Sequence, residues 1–563
     1  MKIAMTLLSL AVGLSLLQSV AAVPAADKIE SLPDYGPPPT DQYSGYLDAT
    51  AGCDTEANGN YCKLHYWFAT AETNAATAPV VLWLNGGPGS SSCIGMVTEA
   101  GPLLMNATGG LMENPYSWTK AANVFILESP IGVGYSYCEA QVNGGYCTNT
   151  DKFTASASRA ALVDFFTNKF PELASNDFFI TGESYAGIYI PTLAYEILQY
   201  AANVINLKGL AIGDPCTDND AQKDSMDALW YGHKYGLVDD AVYDQLWNQC
   251  YVRVPNFLMK NNKSKKSEME RAASSSASSS SSWLSYPVAT GAKDTPACRM
   301  AFRKFLLSTS RGLSQGWRDM FIDDYSLFAP VTDAEDEAMS TYMNRADVRA
   351  ALHVEEAPIK EWPSPKAGFD YTKEYDACND DIVDKLSMID FYRKIVPQLK
   401  VVWVYNGDTD PCVSYEGTRT AIARVGFPEV DGGGYRPWFY NHTATTIEVL
   451  LEKPVLYGPD LLLQTTGAQF GGEIVTYEQG LSFLTVHGSG HMVPQFRPEA
   501  ALHMLSKLVL YQDLSPLLPT NATLTEICDN GFESKMDAWT EKAKAAPFVV
   551  DSSIKPLVVD VTG

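Results

Sequence analysis

Three observations in the amino-acid sequence predict an α/β fold with a mostly parallel central sheet. Six apolar, β-rich runs recur, each ending in a turn-rich loop: APVVLWLNGGPG (78–89), NVFILESP (123–130), DFFITGES (177–184), INLKGLAIGDP (205–215), KVVWVYNGDTDP (400–411) and LSFLTVHGSGH (481–491). Hydrophobicity within each run is continuous rather than alternating, which marks strands buried on both faces. Helix-like stretches such as TASASRAALVDFFTNKFPEL and IPTLAYEILQYAANV lie between the runs. Such strand–helix alternation builds a parallel sheet covered by helices. Ligands bind in the loops at the carboxyl ends of its strands.

Bulk composition narrows the function. The chain has 563 residues, enough for one large domain with an insertion or for two or three smaller ones, and at 46% hydrophobic and 19% charged it is globular in character. A formal net charge of −25 argues against nucleic acid or an anionic membrane as partner, because both reward basic patches. It suits a mildly acidic lumen, where self-repulsion shrinks. Lys2, the apolar run AMTLLSLAVGLSLL and small residues at Ala21 and Ala22 read as a secretory signal peptide over 1–22. No later stretch is long and apolar enough to span a membrane. Eleven cysteines suit an oxidising route, and their odd number leaves at least one thiol unpaired within the chain. Sequons at Asn106, Asn262, Asn441 and Asn521 are compatible with glycosylation. The C-terminus, VVDVTG, carries no KDEL-type signal. The expected address is the secretory pathway, ending in a lysosome or vacuole or outside the cell.

The runs divide the chain into a core over 23–215 and 341–513, an insertion over 216–340 and a tail over 514–563. The insertion holds helical patches, the basic segment LMKNNKSKKSEMER and a serine tract from Ser274 to Ser282 broken by Ala277. The stretch near 260–283 cannot build a core and reads either as a processed excursion or as an uncut surface loop. The tail has Cys528 and a helix candidate, AWTEKAKAA. There are no internal repeats.

The stretch TGESYAG (181–187) places Ser184 after the strand candidate DFFIT and before a helix candidate. This is the context of a nucleophile elbow, and small residues at Gly182, Ala186 and Gly187 permit the tight turn. A control lies in the same chain. GLSQG (312–316) matches G-x-S-x-G letter for letter, yet no buried strand precedes Ser314, so it reads as a loop or helix-end serine.

A serine nucleophile needs a base, and the base needs an orienting acid. Of seven histidines, His65 and His353 sit in strand-like and helix-like settings and His233, His442 and His503 in helical or loop contexts, and all five are assigned structural roles by default. His487 and His491 share the loop VHGSGHMVP. His491 is preferred, because Gly488 and Gly490 let the loop fold back, whereas His487 ends the strand. Asp410 is preferred over Asp408 as the acid, since it sits further around the turn after VVWVYNG; Asp408 is expected to bond the turn backbone. The order Ser184, Asp410, His491 is that of α/β-hydrolases. WLNGGPGSSS (83–92) offers glycine N–H groups to an oxyanion, with Tyr185 N–H as the second donor.

These residues bring the chain close to a known family. QYSGYL (42–47), LHYWF (64–68), VVLWLNGGPGSSS (80–92), TEAGPL (98–103), NPYSW (114–118), ANVFILESPIGVGYSY (122–137), GESYAGIYIP (182–191), YMNRADVRAALHV (342–354), YNGDTDPC (405–412) and HGSGHMVP (487–494) together resemble the serine carboxypeptidases. The match covers most of 40–215 and 340–500 in the family's order; the insertion matches loosely and the tail not at all. The resemblance implies an α/β-hydrolase sheet with an inserted, largely helical cap. It implies Ser184, Asp410 and His491 as triad and the N–H groups of Gly87 and Tyr185 as oxyanion hole. It also implies Asn85, Glu99 and Glu183 as the grip on a peptide's free C-terminal carboxylate. No cofactor or metal is called for. The expected partners are peptide or protein C-termini, with a homodimer left open.

Two carboxyl groups can hold a third only if protons are shared among them, so binding should favour acidic pH. His491 must nonetheless stay neutral to act as a base. The family usually has a cysteine after GGPG, bonded to the cysteine of a C-N-x-D/L segment. Here that position is Ser90, and Cys93 is the substitute, giving Cys93–Cys378. Cys53–Cys62, Cys138–Cys147 and, inside the insertion, Cys250–Cys298 complete the expected pairs. Met492, where some relatives carry an acid, points to a hydrophobic leaving residue. The alternatives to a peptidase are a carboxypeptidase-like acyltransferase and a protective partner for another protein.

Overall fold

A computed structural model describes residues 24–106, 108–254, 292–309, 326–327, 333–363, 369–378, 386–442 and 467–545. The signal-peptide stretch, the Lys/Ser-rich segment near 260–283 with Asn262, and the GLSQG segment with Ser314 lie outside them.

Fifteen strands are present among the described residues: β1 (Gln42–Asp48), β2 (Cys62–Ala69), β3 (Val80–Leu84), β4 (Leu103–Met105), β5 (Leu111–Glu113), β6 (Asn123–Leu127), β7 (Tyr137–Cys138), β8 (Cys147–Thr150), β9 (Phe178–Glu183), β10 (Leu207–Gly213), β11 (Phe369–Thr372), β12 (Val401–Gly407), β13 (Arg436–His442), β14 (Gly467–Thr476) and β15 (Leu481–Val486). Eleven form one sheet, ordered β1-β2-β6-β3-β9-β10-β12-β15-β14-β13, with β7 added on β2. The six strands from β6 to β15 in that order are parallel and coincide with the six apolar runs. Antiparallel strands flank them on both sides.

The continuous hydrophobicity of the runs follows from what covers each face. Successive side chains point to opposite faces of a strand. Leu82, Leu84, Ile180, Ile212, Val404 and Phe483 enter one apolar layer, under helices Asp151–Asp164, Ala186–Tyr200 and Met388–Ile395. Val81, Trp83, Phe179, Ala211, Trp403 and Leu484 enter the other, under helices Cys93–Thr98, Ala346–Ala351 and Pro498–Val509. Each such Leu, Ile, Val or Phe side chain contributes roughly 1.5–3 kcal/mol when fully buried, so neither face tolerates a polar alternation.

The layers also explain a correction. Cys93 does not pair with Cys378; Cys216 does, and Cys93 is a buried free thiol. Cys93 opens a helix on one side of the sheet, among Trp83, Met96 and Trp118, whereas Cys216 and Cys378 both lie in the layer on the other side. Cys53–Cys62, Cys138–Cys147 and Cys250–Cys298 pair as expected. Cys412 is buried and Cys528 exposed, both as thiols.

The described part of the insertion is helical, without a strand. Helices Ala228–Lys234, Asp240–Asp244 and Pro296–Thr309 close a small core around Leu229, Leu246 and Phe302, stapled by Cys250–Cys298. In the tail, helix Asp529–Ala545 packs on the edge strand β13, with Trp539 buried and its Nε1 donating to Leu517 O at 2.9 Å. An edge covered in this way offers no template for stray strand pairing. The sequon at Asn106 lies in a turn, that at Asn441 in β13, and that at Asn521 is exposed at the start of helix Asn521–Glu526.

Candidate active site

The parallel register brings five loops to one edge. Leu84 pairs with Gly182, Glu183 with Gly213, Gly213 with Tyr405, and Gly407 with Val486. The segments that follow these strand ends, starting at Asn85, Ser184, Asp214, Asp408 and His487, therefore emerge side by side. The chain runs from β3 outward to β6, then returns to place β9 on β3's other side. Such a reversal leaves a crevice at the carboxyl ends of the two strands. Asn85 and Ser184 border it.

Ser184 sits at φ +64°, a left-handed conformation that costs a non-glycine residue of the order of 1 kcal/mol. Three bonds hold it there. Its N–H donates to Gly213 O (3.0 Å), while Gly187 N (2.9 Å) and Cys216 N (3.0 Å) donate to its carbonyl. Helix Ala186–Tyr200 then starts at once. The turn needs its small residues for close approach. A methyl on Gly182 would lie 2.2 Å from Leu84 O, and one on Gly86 would lie 2.4 Å from Tyr185 N and 2.7 Å from Ser184 Cβ. The Gly86–Gly87 backbone is thus pressed against the elbow, with Gly87 at φ +112°.

Two parallel Asp–His pairs link the loops after β12 and β15. Asp408 Oδ2 is 2.7 Å from His487 Nδ1, and Gly488 N donates to Asp408 Oδ1 at 2.6 Å. Asp408 thus bonds the backbone of the neighbouring loop rather than its own turn. Asp410 Oδ2 is 2.7 Å from His491 Nδ1, and Cys412 N (2.7 Å) and Val413 N (3.2 Å) also donate to Asp410. The pairs differ in exposure: the His487 side chain is 57% exposed, that of His491 3%. The buried pair adjoins the elbow through Asp214. This residue follows Gly213, the acceptor of the Ser184 N–H, and its carboxylate, Asp410 and His491 converge within 4.8 Å. The cap reaches the same turn, with Tyr231 OH donating to Thr409 O (2.8 Å) and Tyr235 OH to Asp408 O.

Asn85, Glu99 and Glu183 also converge, all buried. Trp83 Nε1 (2.9 Å) and Gly95 N (3.0 Å) donate to Asn85 Oδ1, which fixes the amide's orientation. Its Nδ2 then donates to Glu99 Oε1 and Glu183 Oε1, each at 3.0 Å. Burial, reinforced by the charge of Glu99, pushes the Glu183 carboxyl well above its ordinary range; the Asn85 bond opposes this only in part. Met492, 8% exposed, caps the short helix Val493–Phe496 directly after His491.

The remaining histidines are held by other partners. His65 is buried, with Nε2 2.8 Å from Ser44 Oγ and Nδ1 2.9 Å from Glu128 Oε2. His233 bonds Asp240 (2.9 Å), His353 bonds Ser44 O (3.1 Å), and His442 ends β13. His503 stacks on Trp438, and burial pushes its imidazole down to about 3. His65, Cys93 and Glu128 form a second cluster of metal-type ligands. Its carboxylate already accepts from Ser91 and Trp362 Nε1 on one oxygen and from Tyr135 N on the other.

One residue at the site escaped sequence reasoning. Asp214 lies at the carboxyl end of a predicted strand, as do Ser184 and Asp410, and that shared position was its one signal.

A doubly covered parallel sheet with its reactive loops at the carboxyl edge defines an α/β-hydrolase. Residues 33–510 match the family described as serine carboxypeptidase, and the chain belongs to that family. It is 32% identical over 509 residues to the lysosomal protective protein of Mus musculus, covering 87% of this chain and 94% of that protein. It is also 32% identical over 511 residues to serine carboxypeptidase-like 34 of Arabidopsis thaliana, covering 86% and 89%. Among solved structures, a prohormone-processing carboxypeptidase from Saccharomyces cerevisiae superposes with a TM-score of 0.60 at 18% identity, over 87% of this chain and 96% of that one, which shows the shared fold. The protein is a serine-type carboxypeptidase with peptide substrates. No helix among the described residues is long and apolar enough to cross a membrane.

Proposed function

We propose that the protein removes C-terminal residues from peptides at acidic pH through an acyl-enzyme on Ser184. The observation that carries this reading is the buried Asn85–Glu99–Glu183 cluster beside the elbow. A serine hydrolase has no need of it, whereas an enzyme that must recognise a free C-terminus does. With His491 Nδ1–H donated to Asp410, the Nε2 lone pair is left to take the Ser184 hydroxyl proton. Ser184 Oγ attacks the last peptide carbonyl, and the N–H groups of Gly87 and Tyr185 receive the oxyanion. His491 passes its proton to the leaving amine, and water then releases the acyl group by the same route. Met492 borders the leaving residue and favours an apolar one.

The substrate carboxylate enters a pocket that already holds two carboxyl groups, and the trio binds only with protons shared among them. Glu183 supplies such a proton at acidic pH, because its folded-state carboxyl is raised; the proton is lost as pH rises through that raised value. Four disulfides and the signal-like N-terminus support a secretory route to an acidic compartment or the exterior. An acyltransferase acting on esters would have no C-terminal carboxylate to engage the cluster.

The test uses a blocked dipeptide and its C-terminal amide across pH. Release of the terminal residue from the free acid should peak near pH ~5 and decline through KM as Glu183 ionises, with the amide less affected. Equal pH profiles for the two substrates would sink the carboxylate grip. Unchanged hydrolysis by Ser184→Ala would sink the triad.

A further inference from the structure

Asp214 is fully buried at φ +44° beside the triad. Gly407 N (2.9 Å) and Asn406 Nδ2 (3.2 Å) donate to its Oδ1, and its own N–H donates to Tyr405 O (2.7 Å). No donor among the described residues reaches its Oδ2. That oxygen belongs to the group that lies within 4.8 Å of Asp410 and His491. The other ionisable neighbours are Glu183 on β9 and the phenol of Tyr405 on β12, neither of them a cation.

Two adjoining carboxyl groups in a dry site share one charge. Donor count decides where it rests. Asp410 accepts from His491 Nδ1 and two backbone N–H groups, whereas Asp214 accepts from one N–H and one amide. Donor count therefore favours the charge on Asp410 and the proton on Asp214, whose carboxylate lies with Asp410 and His491 within 4.8 Å. Burial, with the Asp410 charge next, pushes the Asp214 carboxyl well above its ordinary range, in agreement with the geometry.

Such a proton alters what Asp410 does. An unshared Asp410 carboxylate strongly favours imidazolium at His491, and imidazolium cannot accept the serine proton. A hydrogen bond from Asp214 draws electron density from Asp410 and weakens that preference. We propose that Asp214, held as the neutral acid, is a positioning residue that donates a hydrogen bond to Asp410 and so keeps His491 a competent base at the acidic pH where Glu99 and Glu183 can hold a substrate carboxylate. This rests on the triad and carboxylate grip proposed above, and it removes the conflict between them.

The test separates the triad from the grip. Inactivation by a fluorophosphonate reports the reactivity of Ser184 with no peptide bound, and a blocked amino-acid ester reports turnover with no free carboxylate. Both are measured from pH ~4 to ~8 for the wild type, Asp214→Asn and Asp214→Ala. The asparagine amide still presents a donor to Asp410, so its acid limb should stay at the wild-type position whatever its absolute rate. Alanine presents none, so its acid limb should move up by about one pH unit, roughly a tenfold loss of rate at the low end. Asp214→Ser, whose hydroxyl falls an atom short of Asp410, takes that arm if alanine does not fold. Coincident acid limbs for all variants, or an equal shift in asparagine and alanine, overturn the inference. Loss of labelling at Ser184 in the wild type would instead overturn the triad itself.

Discussion

Replacing Glu183 with glutamine probes the carboxylate grip most directly, because the change is nearly isosteric and removes one proton from the site's titration. Asn85 Nδ2 now donates to Glu183 Oε1 at 3.0 Å, and a glutamine carbonyl can accept the same bond. The amide nitrogen then stands where the carboxyl proton stood, as a permanent donor. In the wild type, rising pH replaces a donor with a negative charge facing the substrate carboxylate. A bond to a charged group contributes about 1.5–3 kcal/mol, so about 2 kcal/mol of lost binding corresponds to roughly thirtyfold in Kd. Calorimetry of a blocked dipeptide on a Ser184→Ala background measures this without turnover. The wild-type background should weaken roughly thirtyfold between pH ~5 and ~8, and Glu183→Gln should confine the change to about threefold. A Kd–pH curve for Glu183→Gln that overlies that of its parent would refute the reasoning, since Glu183 would then carry none of the titrating proton.

Two other expectations concern folding. Burial pushes Asp227, the cap of helix Ala228–Lys234, up to about 7, so the native state holds a proton that the unfolded chain releases near pH ~4. The stability this adds is present at low pH and lost as pH rises through ~7, on the order of 2–3 kcal/mol between pH ~5 and ~7.5. Asp227→Ser keeps an oxygen for Leu229 N and Trp230 N but cannot titrate. Its melting temperature should therefore fall below wild type at the lower pH and approach it at the higher; a constant difference would contradict the mechanism. The disulfide assignment is checked by alkylating the unreduced, unfolded chain and locating the labels by mass spectrometry. Cys93, Cys412 and Cys528 should be modified, and Cys528 alone before unfolding, because the other two are buried. Label on Cys216 or Cys378 would contradict the pairing.

The six parallel strands were legible because burial on both faces leaves continuous apolar runs, and the loops that end them carry the site. The antiparallel flanks were harder to read. β14 carries three glycines in ten residues, and their reason is tertiary: a methyl on Gly471 would lie 2.2 Å from the Trp438 ring. Cys93 shows the limit of spacing. Three residues past Ser90 is close in sequence, but a helix start turns Cys93 into the layer opposite Cys378. Asp214 was hidden for another reason. A triad needs one acid, Asp410 filled the role, and nothing in sequence distance says that two strand ends abut until the register of β10 on β12 is known.

The register also explains why the site is built from acids. Asp214 and Asp410 converge with His491, Glu99 and Glu183 meet at Asn85, and on the proposed reading a substrate brings a further carboxylate. An arginine would hold that carboxylate at every pH. Its charge beside Glu183 and Asp410 would also oppose protonation of His491 when the serine proton must be taken. In the proposed grip, paired carboxyl groups would bind the same ligand through protons, add no cation beside the imidazole, and let binding lapse as pH rises. Of the four acids, Asp410 accepts from His491 Nδ1, Cys412 N and Val413 N. A chain with 66 acidic and 41 basic side chains gains from the same surroundings, because acidity that protonates the site also relieves the repulsion of its surface. On the proposed reading, substrate binding strengthens as pH falls until His491 is protonated, and the hydrogen bond from Asp214 defers that limit.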